Sequence, residues 1–324
     1  MSASYISSLN FIAQQMTIYL GIPILISGLI GGLINVIVFL SLQTFRQNSC
    51  AFYLTIMSIV NIGHLSTGLL TRILISGFNI DPTQTSIFYC KFRAYFVQVC
   101  ISMSLTCMCF ATIDQFLATC HSQRWQQWSN IKVAHRLIIG SLIIWLLHGI
   151  QYWIYYNLVK LVTTSQNTCI STNYIFQLYN IGVYSIILNG LLPIFISILF
   201  GLLAYRNVHD LSYRTIPLVR RELDKQLTVI VLIQVISNFI TAMPYAITNI
   251  LTLNATIMND VVNLAKLRFI TVMVICILYL NFASPFYMYI CVSARFRQQF
   301  IYVFYKMHCK KWQRRRIAVN QVIP

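Results

Sequence analysis

The charged residues of this chain are gathered into short segments, and long uncharged runs separate them. Seven runs of twenty or more residues contain no Asp, Glu, Lys or Arg, and they are 1–45, 47–71, 94–113, 137–159, 161–205, 226–259 and 269–294. A helix needs about 20 apolar residues to cross the ~30 Å hydrocarbon core of a bilayer. Backbone polar groups at that depth must be satisfied within the helix itself. The sequence therefore predicts an all-α fold, a bundle of seven transmembrane helices.

The composition excludes a soluble globular protein. Only 9% of the residues are charged, and 58% are hydrophobic. Soluble domains carry roughly a quarter charged residues, because their surface must face water. We interpret the chain as an integral membrane protein in contact with the lipid bilayer. The two longest runs are each assigned one span, because 1–15 and 161–178 are rich in polar residues.

The basic residues indicate the topology. With the N-terminus outside, 17 of the 23 Lys and Arg residues fall in segments on the cytoplasmic side, as the positive-inside rule requires. The net charge of +17 is then explained without a nucleic-acid partner. We predict a multi-pass plasma membrane protein with an extracellular N-terminus at 1–15, a helical domain at 16–291 and a cytoplasmic C-terminal segment at 292–324. That last segment begins with a short amphipathic eighth helix.

Each predicted span carries one polar or aromatic landmark. In chain order these are Asn35, Asn61, Cys90, Asp114, Trp145, Pro193, Pro244 and Pro285. Their order and the 24-residue spacing from Cys90 to Asp114 resemble the rhodopsin-like (family A) G-protein-coupled receptors, across essentially the whole chain. The resemblance implies a receptor whose cytoplasmic partner is a heterotrimeric G protein.

Two cysteines alone, Cys90 and Cys169, fall in segments assigned to the outside, where disulfides persist. A pair there is the natural interpretation. The family resemblance also implies this disulfide, with the outer loop fastened over the third helix.

The chain departs from the family at its activation motifs. The usual Asp-Arg-Tyr becomes Asp114-Gln115-Phe116, so an ion pair between that arginine and an acid on span six, here Asp224, is impossible. A neutral hydrogen bond contributes less than a charge-assisted one. We therefore predict a weaker resting contact and more ligand-free signalling than in a Gln115→Arg variant.

The polar middle of the bundle is altered as well. Asn61, Ser104, Asn281 and Ser284 are expected to surround water, but they bring no carboxylate for a sodium ion. Proline hinges remain at Pro244 and Pro285, whereas the family's tryptophan on span six is replaced by alanine. We expect no metal and no cofactor.

Residues that are absent from the expected binding positions narrow the chemical class of the ligand. Val97 occupies the position of the amine-binding Asp, and Leu278 occupies that of the retinal lysine. A basic mouth remains, and its members are Arg72, Lys91, Arg93, Lys266 and Arg268. Arginine binds both oxygens of a carboxylate, so we predict an extracellular peptide with an acidic group or a free C-terminus. Gln98, Tyr245 and Asn249 are predicted to line the cavity below. The alternative is a rim of basic chains, Arg72 included, that extend to the lipid headgroups.

Other classes fit less well. A transporter would usually show internal repeats and paired intramembrane charges, and the sequence shows neither. An enzyme would need an acid–base or metal cluster, and His64 and His148 are isolated in the sequence. The remaining alternative is a seven-helix protein that binds a ligand or partners without G-protein coupling, because Gln115 replaces the arginine. Asn254 begins a glycosylation sequon near the membrane, and Cys309 is either a lipidation site or a free thiol.

Overall fold

The computed structural model describes residues 2–41, 43–160, 167–210, 218–252 and 260–307. Seven helices in this part of the chain are long and apolar enough to cross a membrane, which confirms the predicted seven-helix bundle. Their bounds are α1 (Ser2–Ser41), α2 (Ser49–Gly77), α3 (Ile87–Thr119), α4 (Ile131–Tyr155), α5 (Tyr174–Val208), α6 (Leu218–Thr252) and α7 (Val261–Ala283). Short helical segments also occur at Gln43–Arg46, Pro82–Gln84 and Gln123–Gln126.

The helix ends follow local capping chemistry more closely than the charge pattern. A side-chain oxygen accepts a hydrogen bond from a first-turn backbone N–H at Asn48, Ser86, Asn130, Asn173 and Asp260. Such caps satisfy donors that have no partner within the helix. Two expected boundaries differ. α1 begins at Ser2, well before the predicted start near residue 16, and α7 ends at Ala283 rather than at residue 291. A separate helical segment begins at Pro285, because proline lacks the N–H that would continue the ladder.

α3 is the central helix of the bundle. It packs against α2, α4, α5 and α6. A two-stranded antiparallel hairpin, formed by β1 (Tyr156–Lys160) and β2 (Asn167–Ser171), also contacts it. Cys169 of β2 forms a disulfide with Cys90 near the start of α3, as predicted, with a Cα–Cα distance of 5.7 Å. The hairpin is therefore fastened to α3. We call this end of the bundle the disulfide end, and the opposite end the Asp114 end.

Two of the helices contain wide π-helical turns. In α2 these are Leu65–Leu69 and Ile73–Gly77, on either side of Arg72. The N–H of Leu70 donates to the carbonyl of Leu65, five residues back. In α5 a π-helical stretch covers Asn180–Leu191. π-Turns are rare and are often found at functional sites.

An eighth helix, α8 (Ala294–Ile301), follows the seven-helix bundle and continues as a π-helical turn at Tyr302–Met307. Phe296 is buried against Phe39 and Phe286, while Ile301 is exposed. The guanidinium of Arg297 donates to the carbonyls of Ile290 and Cys291 at 2.9 and 3.1 Å. The predicted short amphipathic helix is confirmed here, whereas Cys309 lies outside the described residues.

α1 and α7 approach closely at a glycine. A Cβ added at Gly28 would lie 2.7 Å from the Cβ and 3.1 Å from the Cα of Ala283. Gly140 on α4 has no atom within 4 Å of the same position. Small residues permit such contact between membrane helices. We infer that Gly28 is required for packing and that Gly140 is not.

Gly28→Leu is expected to lower the thermal unfolding temperature of the purified protein, because overpacking typically costs about 1–3 kcal/mol. Gly140→Leu, also a glycine in a helix, is the matched control and is expected to unfold near the wild-type temperature. Fluorescence-monitored unfolding in detergent measures both. Equal unfolding temperatures for the two variants would contradict the contact.

Candidate functional site

An outer and an inner cavity lie toward the disulfide end, among the residues that the structure describes. The outer cavity, of about 290 Å³, lies between the hairpin and α5, and its lining includes Tyr156, Cys169 and Phe176. The inner cavity, of about 60 Å³, lies among α3, α5, α6 and α7. Its lining includes Gln98 and Tyr245, both predicted to line a cavity. The inner cavity is also lined by Ala242, whose small side chain fills little of it.

The inner cavity contains polar groups with unused hydrogen-bonding capacity. The hydroxyl of Tyr184 donates to the backbone carbonyl of Gln98 at 3.2 Å and is also hydrogen-bonded to Ser102. The side-chain nitrogens of Gln98 and Asn238 are buried and have no partner. An unpaired buried donor costs free energy, so these two amides favour a polar group of a ligand or water in the cavity.

Four of the six predicted ligand residues line neither cavity: Arg72, Arg93, Val97 and Asn249. Val97 is half-buried on α3, immediately before Gln98. Asn249 is half-buried on α6, one turn beyond Tyr245 toward the disulfide end, and its carbonyl accepts from Thr252 at 2.6 Å. Their place in ligand binding remains a prediction.

The five basic residues of the predicted mouth separate into different environments. Arg72 is half-buried on α2, within electrostatic reach of Tyr245 on α6 and of Tyr279 on α7. Arg93 is half-buried on α3, and its Nε is buried without a partner. By contrast, the side chains of Lys266 and Arg268 are exposed on α7, and Lys91 is half-buried. The surroundings of Arg72 favour the bundle-facing alternative over extension to the headgroups.

The polar middle of the bundle forms direct hydrogen bonds, and the expectation that these four residues surround water stays a prediction. Ser104 donates to Asn61 at 2.6 Å and joins α3 to α2. Asn281 donates to Asn238 at 3.0 Å and joins α7 to α6. The hydroxyl of Ser284 bonds to the carbonyl of Asn281 at 3.4 Å, within its own turn. Direct contact is possible because the helices pack closely at these positions.

Asn35, the landmark of the first span, makes no described hydrogen bond to a neighbouring helix through its Oδ1. Asn35 is 1% exposed on α1, and its Oδ1 has no partner. Asn35 still contributes a buried polar group to the core.

At the Asp114 end, α3 bonds to two neighbouring helices. Both carboxylate oxygens of Asp114 accept from the hydroxyl of Ser49 on α2, at 2.7 and 2.8 Å. The adjacent Gln115 is 1% exposed, and its Oε1 accepts from the hydroxyl of Thr228 on α6 at 3.0 Å. The amide nitrogen of Gln115 is buried without a partner.

Other predicted activation residues occupy separate positions. The ring of Phe116 packs against Phe200 of α5, with ring centroids 5.5 Å apart. Pro244 is half-buried within α6, and Pro285 is buried at the start of the segment after α7. The side chain of Asp224, like Asn254, lies outside the described residues. Thr228, one turn further along α6 than Asp224, is the observed partner of Gln115.

Sequence reasoning missed Ser49, Thr228 and Tyr279. Ser49 follows the cap Asn48, a signal for the helix start but not for contact with Asp114. Thr228 has helical spacing from Asp224, which indicates the same face of α6. Tyr279 carried no signal, since it is one of 19 tyrosines in the chain.

Comparison with known proteins adds no family or relative to these observations. No protein-family model matches the chain, and no curated protein gives a significant match.

Proposed function

We propose that this chain is a divergent rhodopsin-like G-protein-coupled receptor of the plasma membrane, with its disulfide end extracellular. In this proposal a ligand binds at the disulfide end, and a heterotrimeric G protein binds at the Asp114 end. The observation that carries the proposal is the central position of α3. One continuous helix contributes Cys90 and Gln98 at one end, and Asp114 and Gln115 at the other.

The contacts of α3 support a transmitting role. At the disulfide end Gln98 lines the inner cavity, which α6 also lines through Tyr245. At the Asp114 end, Gln115 is joined to α6 by a single described hydrogen bond from Thr228. A ligand that changes the packing of α3 against α6 at the cavity would therefore act on the same helix pair at the other end. Allosteric coupling requires such an element with two arrangements.

A peptide ligand fits the disulfide end better than a small amine. The outer cavity, of about 290 Å³, is bordered by backbone and side chains of β2 and α5, and an extended peptide can bond to such a surface. Among the described residues, no acidic side chain projects from α3 beside Gln98 to pair with an amine.

A second candidate is a seven-helix protein that binds ligands or partners without G-protein coupling. The observation that favours it is Gln115, a neutral residue where the family's arginine meets the G protein. The two candidates agree on ligand binding at the disulfide end and differ only in what happens at the Asp114 end.

Nucleotide exchange separates the two candidates. The purified protein in nanodiscs is mixed with a panel of heterotrimeric G proteins, and guanine-nucleotide exchange is measured with and without a synthetic peptide library. We expect exchange above that of empty nanodiscs for at least one G protein, further increased by a library member. Peptide binding without exchange on any G protein would favour the second candidate. The absence of both peptide binding and nucleotide exchange would contradict the receptor proposal.

A further inference from the structure

Arg72 and Arg93, which we call the arginine pair, lie on adjacent helices at the disulfide end and face into the bundle. Each lies within electrostatic reach of the other and of Tyr279 on α7. Arg93 also acts on His64, whose ring stacks on that of Tyr279 with centroids 5.0 Å apart. Two partly buried positive charges therefore lie near the same tyrosine, Tyr279.

Among the residues that the structure describes, no acidic side chain neutralises the pair. The protein has six acidic residues in all. At the disulfide end these are Asp81 and Asp260, and each accepts hydrogen bonds from its own helix start, from Thr83 and Val262 respectively. Among the described residues neither arginine forms a salt bridge, and Arg93 Nε is buried without a partner. Like charges in a medium of low dielectric constant repel, so the pair is incomplete without an anion.

The neighbours of the pair include tyrosines that line the two cavities. Arg72 lies within electrostatic reach of Tyr245, which lines the inner cavity. Arg93 lies within electrostatic reach of Tyr156, which lines the outer cavity. Burial holds the pKa of the Tyr156 hydroxyl above its ordinary value, and the opposing effect of the Arg93 charge is smaller, so this phenol is a neutral donor. Two guanidinium groups and neutral phenols are the donor set that binds oxyanions.

We infer that the arginine pair binds an oxyanion of the ligand, of which a carboxylate is the form a peptide supplies. The inference rests on the proposed ligand-binding function and names the chemical class of its ligand. A lipid headgroup is a poorer occupant, because the neighbours of Arg72 are side chains of α6 and α7 in the bundle interior. The exposed Lys266 and Arg268 are not part of the site.

The first test needs no ligand. In chloride buffer free of oxyanions, with nanodiscs of neutral phosphatidylcholine, Arg93→Gln and Arg72→Gln are each expected to raise the thermal unfolding temperature, because each removes the repulsion. Arg268→Gln, an exposed arginine at the same end, is the matched control and is expected to leave it unchanged. Lower unfolding temperatures for both pair variants would overturn the inference, since they would show that each charge is already satisfied.

The second test identifies the oxyanion. One peptide library is synthesised twice, with free C-terminal carboxylates and with amidated C-termini, and succinate and inorganic phosphate serve as small probes. We expect stabilisation of the wild type by the carboxylate forms, and an apparent affinity roughly tenfold or more weaker in Arg93→Gln. If phosphate stabilises the wild type more than every carboxylate does, the oxyanion is a phosphoryl group, and the site is still supported. The inference would be overturned if the free-acid and amidated peptides stabilise the wild type equally and neither small probe stabilises it. Stabilisation that appears only in nanodiscs with anionic lipid would also overturn it. Neither test uses a G protein, so failure of coupling and failure of the anion site are distinguished.

Discussion

Cys90→Ser is expected to lower the unfolding temperature strongly and to abolish ligand response in cells. The disulfide closes a loop between residues 79 apart in sequence, and loss of a native disulfide typically costs about 2–5 kcal/mol. Cys169 also lines the outer cavity, so release of the hairpin removes part of the proposed ligand site. Thermal unfolding with and without dithiothreitol measures the effect. The reductant should lower the wild-type value to that of Cys90→Ser and leave the variant unchanged.

The double variant supplies the control for this prediction. Cys90→Ser combined with Cys169→Ser is expected to unfold at the temperature of either single variant, because all three lack the same bond. Cys291→Ser, which removes an exposed free thiol, is expected to behave as wild type. Additive losses for the two single variants would mean that each cysteine acts by packing and not by the bond.

Thr228→Val is expected to raise ligand-free nucleotide exchange about fivefold, if the chain couples to a G protein as proposed. The substitution removes the hydroxyl that donates to Gln115 Oε1 at 3.0 Å and leaves a buried acceptor without that donor. Such a hydrogen bond contributes about 1 kcal/mol net, which corresponds to a factor of about five in an equilibrium between two helix arrangements. The measurement is basal exchange on the responsive G protein in nanodiscs.

Three further variants test the interpretation of that result. Thr228→Ser keeps the hydroxyl and should behave as wild type. Thr241→Val removes a hydroxyl that bonds only within α6, to Ser237 and Asn238, and should also leave basal exchange unchanged. Gln115→Arg is expected to lower basal exchange, because a charge-assisted contact with α6 is stronger than a neutral one. Basal exchange in Thr228→Val no higher than in Thr241→Val would contradict a resting contact between Gln115 and Thr228.

Much of the architecture could be predicted from the distribution of charge. The uncharged runs predicted seven helices, and the outside position of Cys90 and Cys169 predicted their disulfide. Helix ends were predicted less well, since they depend on capping side chains and on Pro285 rather than on charge. α1 shows the difference most clearly: its polar first turns still form a helix, because serine and glutamine do not prevent one.

The site could be predicted by residue but not by contact. Gln98 and Tyr245 line the inner cavity as expected, whereas Asn249 does not. Which side chains meet depends on the rotation of each helix about its axis. Helices that are apolar on every side carry little periodic signal for that rotation. The contact of Asp114 with Ser49 was therefore beyond sequence reasoning, and so was the orientation of Arg72, whose long side chain permits either direction.

The π-turn at Leu65–Leu69 has a consequence for Arg72. A π-turn accommodates one residue more than an α-helical turn, and one residue corresponds to a rotation of about 100° around the axis. The direction of every side chain from Leu70 to Gly77 therefore depends on a single additional residue upstream. Deleting one residue there would turn the Arg72 guanidinium away from Tyr279 and Arg93 with no substitution at all. The length of this segment, as much as its composition, determines whether the arginine points to the interior or to the lipid.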